Sequence, residues 1–354
     1  MPKQWRSAVV GVGTVGSWHC RILAKMENNT LVATCDKDSE KAKQTLTKIG
    51  MESLPIYSDV KEMLTKEQID VVHVCTPSGD HMTPAIAAME MGKNVICEKP
   101  VEIQLDRIDK MIAAAKKNNV KLAGIFQNRW NLANAALKHA ADENRYGRVS
   151  FAGCYTPWFR TDEYYREGGW RGTWKLDGGG AIMNQSVHAV DLLQWIAGPI
   201  KSVSAYAGAR IHKEIEVEDT LACSLQFESG AFGVIVGTTA MYPGSSVRIE
   251  IGGENGTAIT EYGQGLRTYK FREPKPDDEA TIKSCAPSAG PSGGASSNVD
   301  VALDLHFRNI THILESWERG EDASTDGVEA RKAVAIIVAM YESAKNGGQA
   351  VAVK

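Results

Sequence analysis

The chain has 354 residues, 43% of them apolar and 23% charged, enough for two domains that each bury a full core. Its formal net charge of -3 argues against a nucleic-acid or membrane-surface partner. Seven cysteines, an odd number with no C-x-x-C spacing, read as reduced and mostly buried thiols of a cytoplasmic protein without a disulfide frame or zinc site, and no apolar run reaches the length of a membrane span.

The first organised stretch is Ser7–His19. Ala8-Val9-Val10 suits a buried strand, and Gly11-x-Gly13-x-x-Gly16 then opens a helix running to about Glu27. Gly11 permits the tight turn, Gly13 lets backbone approach a pyrophosphate, and Gly16 lets the helix pack close to the strand. The pyrophosphate would rest on the exposed N–H groups of the helix N-terminus, around Thr14 and Val15. A second strand, Thr30–Cys35, ends in Asp36, twenty residues after Gly16, where an acid accepts bonds from ribose hydroxyls. Asp36 disfavours a 2′-phosphate, so NAD is preferred to NADP, although the adjacent Lys37 could reach such a phosphate.

The alternation continues with a helix over Asp38–Ile49, a short edge strand at Pro55–Tyr57 and a helix at Ser58–Leu64. The strand Ile69–Cys75 runs into Thr76-Pro77 and His81, and a helix closes at Gly92. The strand Lys93–Cys97 delivers Glu98-Lys99-Pro100; the helix Leu105–Asn118 and the strand Val120–Phe126 end the series at Gln127. Residues 1–126 therefore read as a doubly wound parallel sheet that binds ligands at the carboxyl ends of its strands. Those ends are Gly11–Gly16, Asp36, Thr76-Pro77, Glu98-Lys99 and Gln127. Successive strand side chains oppose each other, so Glu98 should not neutralise Lys99 directly. Partly desolvated near an oxidised nicotinamide, Lys99 would have a lowered pKa and could exchange a proton. From position alone, an exposed strand-end lysine is an equal reading.

Residues 127–354 form the second domain, α+β with a large, mostly antiparallel open-faced sheet. A helix at Asn131–Asn144 precedes strands at Val149–Thr156, Ile200–Ile211, Thr220–Phe227, Ala231–Ala240, Val247–Gly252, Thr257–Thr260 and Leu266–Phe271. Helices should cover one face; a second subunit closing the other implies a homodimer or homotetramer. Pro274–Asn298 reads as a long loop, and Val301–Arg319 and Gly327–Lys345 as amphipathic helices. Between Tyr164 and Asp191 candidate site residues are dense. Gly178-Gly179-Gly180 lets backbone pass close to another group, and a helix over Ala181–Trp195 puts Asn184 and His188 on one face. An imidazole is the natural base for an alcohol proton; a satisfied core histidine is the competing reading. Tyr164, Trp170-Arg171 and Trp174 could line a sugar pocket, with core or interface tryptophan as the alternative. The remaining histidines show no metal-ligand spacing, so no metal is expected.

Taken together, Gly11-x-Gly13-x-x-Gly16, Asp36, Thr76-Pro77 with His81, Glu98-Lys99-Pro100, Gln127-Asn128-Arg129, Trp170-Arg171 and Gly179-Gly180 leading to His188-x-x-Asp191 resemble the glucose–fructose oxidoreductase/inositol dehydrogenase/MocA oxidoreductases over nearly the whole chain. The resemblance implies an NAD(P)-dependent enzyme acting on a ring hydroxyl or ketone of a sugar, sugar derivative or cyclitol. It implies that Lys99 contacts substrate and nicotinamide, that His188 moves the proton, and that Trp170 and Arg171 approach the cofactor with Thr76, Pro77, His81, Glu98 and Gln127. Arg129, Tyr164, Trp174 and Asn184 would join Lys99 and His188 on the substrate, and Lys99-Pro100 would be a cis peptide. One departure stands out: the family often has aspartate four residues before the histidine, where this chain has Asn184. An amide orients a hydroxyl but cannot take its proton, which shifts acid–base work to His188 with Lys99 assisting. Competing functions are a glycoside-cleaving enzyme that oxidises, eliminates and re-reduces without releasing cofactor, and a non-catalytic dinucleotide or sugar sensor.

Overall fold

The computed structural model describes residues 3–286 and 299–354, and the chain divides into two compact units. The first comprises the residues up to Phe126 together with His306–Arg331. Its strands are β1 (Trp5–Val10), β2 (Asn29–Cys35), β3 (Ile56–Tyr57), β4 (Val71–Val74), β5 (Asn94–Cys97) and β6 (Leu122–Gly124). They form one all-parallel sheet in the order β3-β2-β1-β4-β5-β6, the doubly wound arrangement expected from the alternation of elements. All four residues of β4 are buried, as a strand covered on both faces requires. The edge strand β6 is covered by the distant segment: Gly124 N–H bonds to Thr325 O at 2.7 Å, and the Asn309 side chain accepts Phe126 N–H at 2.9 Å. Trp5 meets Trp317 edge-on at 6.3 Å.

The second unit holds Gln127–Leu305 and Lys332–Lys354. Its eight strands are β7 (Val149–Pro157), β8 (Ile200–Gly208), β9 (Thr220–Phe227), β10 (Phe232–Thr238), β11 (Arg248–Gly253), β12 (Gly256–Glu261), β13 (Gly265–Phe271) and the short β14 (Val351–Ala352). Their order is β13-β12-β11-β7-β10-β9-β8-β14; β7 and β10 pair in parallel and every other neighbour is antiparallel. One face buries Cys154, Leu221, Cys223, Leu225, Ile235, Ile249 and Ile251, against which the helix Val187–Ala197 packs. On the other face Phe232 keeps 64% of its surface exposed and Tyr206 70%, with Phe151 beside Phe232 in register. All seven cysteines are free; six are buried and Cys75 is half-buried. No helix among the described residues is long and apolar enough to cross a membrane.

Three local expectations change. The strand expected to reach Ile211 stops at Gly208, because the N–H groups of Arg210, Ile211 and His212 turn onto the Asp219 carboxylate. The stretch expected to be loop from Pro274 contains a helix at Asp278–Ser284, tied down by a two-bond Arg145–Asp278 ion pair; residues 287–298 lie outside the described residues. The single helix expected from Ala181 begins instead as a π turn, Ala181–Gln185, with the α-helix following from Val187.

Gly16 leaves no room for a side chain, since a Cβ there would lie 1.9 Å from Gly11 O. Gly16→Ala should destabilise the first unit by ~2 kcal/mol or more, the scale of overpacking against backbone. Urea denaturation followed by tryptophan fluorescence checks this; an unchanged midpoint would show that the turn can open.

Candidate active site

In the first unit, β1 ends at Val10 and the chain turns at Gly11, whose φ of +90° and closeness to Cys75–Thr76 backbone (2.7 Å from any added Cβ) both require glycine. The helix Thr14–Leu23 starts at Gly13 without a side-chain cap, and nothing lies within 4 Å of where a Cβ on Gly13 would project. Gly13 and Thr14 are exposed and Val15 half-buried, so the first-turn N–H groups offer an open anion cradle. Asp36 bonds Val12 N–H at 2.7 Å and Asp38 N–H at 2.9 Å, one on each carboxylate oxygen. Each oxygen keeps a lone pair for a ribose hydroxyl. Thr76 Oγ1 is buried with no hydrogen-bond partner, a second sign that a polar group belongs beside it. These features fit a dinucleotide. Lys37, almost fully exposed, lies 3.6 Å from Asp80. His81 is buried between the carbonyls of Thr76 and Pro100, 2.8 Å from each, and so braces the end of β4 against the cis Lys99–Pro100 peptide.

Glu98 turns inward, as strand alternation requires. Its Oε1 receives His19 Nε2 at 3.0 Å and His306 Nε2 at 3.3 Å, and its Oε2 accepts the Lys99 backbone N–H at 3.1 Å. Burial acts to raise this carboxyl, but the two imidazoles outweigh it and hold it well below the usual carboxylate range. His73, 3.0 Å from His19 Nδ1, is pushed well down by burial and stays neutral. His19, Glu98 and His306 are the one cluster of metal-ligand composition among the described residues; its 3.0 and 3.3 Å spacings are those of imidazole–carboxylate hydrogen bonds. Sequence spacing could not show it, because its members come from a helix, a strand end and a segment two hundred residues away.

In the second unit the π turn explains itself through Glu218. Its carboxylate accepts Gly180 N–H at 3.0 Å, Ile182 N–H at 2.9 Å and the Tyr341 hydroxyl at 3.0 Å, while its own carbonyl takes Ala181 N–H. The close approach that the glycines allow is to these two residues: a Cβ on Gly180 would sit 1.8 Å from Glu218 O, and one on Gly179 2.0 Å from the Tyr341 hydroxyl. Ser186 then bonds Ala181 O through both N–H and Oγ, closing the wide turn. From 181 to 194 every residue is buried except Asn184 and His188. The Asn184 amide donates to Asp177 Oδ1 at 2.7 Å. Gln127 Nε2 lies 3.3 Å from His188 Nε2, a contact that an amide N–H makes to an imidazole lone pair. Arg129 is buried in a two-bond ion pair with Asp191, Nε to Oδ2 at 2.7 Å, and stacks near Trp195. It thereby fixes the Gln127–Trp130 turn on the helix that carries His188.

Aromatic and cationic side chains gather next to this helix. Tyr164 receives a bond from Gln185 on its hydroxyl, and the Arg171 and Arg160 guanidinium groups lie 4.3 and 5.0 Å from its ring centre. Trp170 lies 5.9 Å from Arg171, and the exposed Trp174 meets Tyr341 edge-on at 5.3 Å. The structure thus places Tyr164, Trp170, Arg171, Trp174, Asn184, His188, Gln127 and Arg129 in the second unit, and the glycine loop, Asp36, Thr76, Pro77, His81, Glu98 and Lys99 in the first. Asp177, Glu218 and Tyr341 carried no sequence signal beyond a glycine run that needed something to press against.

Comparison with known proteins is consistent across both units. Residues 5–126 match the oxidoreductase family model with an NAD-binding Rossmann fold, and residues 134–259 match the GFO/IDH/MocA C-terminal domain. The WlbA dehydrogenase of Bordetella pertussis, solved with NADH and UDP-GlcNAcA, superposes with a TM-score of 0.89 at 30% identity, covering 99% of this chain and 98% of that one. The WlbA dehydrogenase of Chromobacterium violaceum, solved with the same two molecules, gives 0.88 at 34% identity over 99% and 96%. The myo-inositol 2-dehydrogenase of Thermotoga maritima is 28% identical over 262 residues, 72% of this chain and 75% of that protein.

Burial raises the Glu218 carboxyl from 4.5 to about 7, against the four hydrogen bonds that favour its charged form. An acid raised on folding keeps its proton longer in the native state than in the unfolded chain. Stability should therefore fall as pH rises from about 4.5 to 7 and stay lower above, by about 3 kcal/mol for a shift of that size. Glu218→Gln should flatten this slope, measured by chemical denaturation at acid and mildly alkaline pH; an identical slope in the variant would assign the pH dependence elsewhere.

Proposed function

The chain belongs to the GFO/IDH/MocA oxidoreductase family, and on that premise we propose that it oxidises a ring hydroxyl of a sugar derivative with NAD, taking the hydroxyl proton on His188. The observation that carries this reading is the burial pattern of the helix: across 181–194 only Asn184 and His188 keep access to solvent. The backbone of Gly11–Gly16 and the Asp36 carboxylate would hold the dinucleotide, whose nicotinamide supplies the hydride acceptor when bound. The chain's own task is to position the hydroxyl and manage its proton. The Gln127 amide N–H on His188 Nε2 supports a neutral imidazole, whose Nε2 lone pair could take the proton once the amide is displaced. Asn184 orients the substrate through a polar group beside the reacting hydroxyl, and Lys99, whose backbone N–H is fixed by Glu98, assists.

Two further lines support a negatively charged substrate. The two WlbA structures hold a nucleotide-linked sugar acid, and Arg160 and Arg171 flank Tyr164 in this chain, a guanidinium–aromatic arrangement suited to carboxylate or phosphate. We also infer a homodimer or homotetramer formed through the sheet face bearing Phe151, Tyr206 and Phe232, operating in a reducing cytoplasm.

His188→Ala should lower kcat/KM by roughly 10²–10⁴-fold while leaving NADH binding, followed by fluorescence, unchanged. Turnover near wild type would remove His188 as the base. UDP-linked sugar acids, free uronates, hexoses, inositols and glycosides should be compared with NAD and NADP by the growth of NADH absorbance. The expected result is accumulation of free NADH, fastest with the UDP-linked acid; preference for a neutral cyclitol would refute the charged-substrate reading, and product without NADH would indicate internal cofactor recycling. Phe232→Glu should convert the oligomer to monomer in sedimentation velocity, whereas a monomeric wild type at micromolar concentration would end the oligomer proposal.

A further inference from the structure

Asp177 is 1% exposed and belongs to none of the motifs that mark the site. Its two carboxylate oxygens are used separately: Oδ2 accepts Gly172 N–H at 2.8 Å, and Oδ1 accepts the Asn184 side-chain N–H at 2.7 Å. A carboxylate accepts and an amide nitrogen donates, so this bond admits only one orientation of the Asn184 amide. We propose that Asp177 is a positioning residue that locks the Asn184 amide with its carbonyl oxygen outward, so that position 184 selects a hydrogen-bond donor on the substrate, a ring hydroxyl or an amide N–H, and rejects a carboxylate or ketone there. The proposal rests on the sugar-oxidising reading above.

The arrangement gives the amide at position 184 a fixed acceptor face. The carboxylate is present, but seven residues earlier in the chain and one hydrogen bond behind the amide. The acceptor face is kept and the proton-taking ability is not, which leaves His188 to take the proton. The surroundings favour a fixed pair. Asp177 N–H and Gly178 N–H both bond Thr173 O at 3.1 Å, and Glu218 clamps the backbone on either side of Ala181. The Asp177 charge reaches Tyr165 and Tyr341: burial raises both tyrosines, and that charge adds to the rise in each.

The geometry permits an exchange of the two side chains. With Asp177→Asn and Asn184→Asp together, the new amide would accept Gly172 N–H through its oxygen and donate to the new carboxylate, preserving both bonds. Three variants separate the outcomes. Asp177→Asn alone removes the constraint on the 184 amide and should lower kcat/KM by about 10-fold or more. Asn184→Asp alone sets two carboxylates against each other; they must share a proton, so its pH–rate profile should gain a limb near neutrality. The double variant should lose that limb and recover activity above either single variant.

Thermal unfolding and NADH fluorescence titration verify that each variant is folded and loads cofactor. Near-wild-type kcat/KM and pH profile in Asp177→Asn, or a double variant no better than the worse single, would overturn the proposal. An activity-independent arm uses the side-chain amide resonances of ¹⁵N-asparagine-labelled protein. The Asn184 pair, identified by its loss in Asn184→Asp, should shift on Asp177→Asn. A shift with no turnover of any sugar by wild type refutes the sugar reading but leaves the locked amide standing; turnover with no shift does the reverse.

Discussion

The Glu218 carboxylate, out of contact with water, gathers two backbone N–H groups and a tyrosine hydroxyl at the point where a glycine run meets the start of a helix. That gathering forces the first turn wide, and the wide turn decides which side chains of 181–194 remain accessible. The same device recurs. Asp177 fixes an amide, Asp191 fixes a guanidinium behind the imidazole, and Glu98 fixes the backbone of a lysine. Each is a desolvated acid whose cost is offset by hydrogen-bond donors. These buried acids orient neighbouring groups through hydrogen bonds.

Much of the fold was legible because it rests on periodicity and on glycines with a steric reason. The near-continuous apolar run of β4, the alternation of strand and helix to Phe126, and the hairpin signal at Asn255-Gly256 all mark elements found in the structure. The ends of elements were less legible, since side-chain acceptors decide them: Asp219 stops β8, and Glu218 turns the beginning of a helix into a π turn. The parallel pairing of β7 with β10 was hidden, because strand pattern records which face is buried and not which neighbour lies alongside.

The candidate site was legible in its motif residues and illegible in its supports. Gly11, Gly13, Gly16 and Asp36 have spacings dictated by a ligand of fixed size, so a single chain reveals them. His19, His306, Asp177 and Tyr341 contribute one side chain each from remote places, and no spacing rule connects them. His81 and Arg129 show the converse: both sit in recognisable motifs, yet both are buried in bonds that hold neighbouring segments, His81 between two carbonyls and Arg129 on Asp191. A motif can mark the scaffold of a site as readily as its working surface.

The seven thiols have a consequence for the protein's life in a changing cell. Burial raises all of them, Cys20, Cys35 and Cys223 to about 12, so almost no thiolate exists at neutral pH. Peroxides and electrophilic metabolites react with thiolate, and here they meet protonated sulfur that is buried at six of the seven positions. The thiol route to oxidative modification is thereby suppressed in this chain.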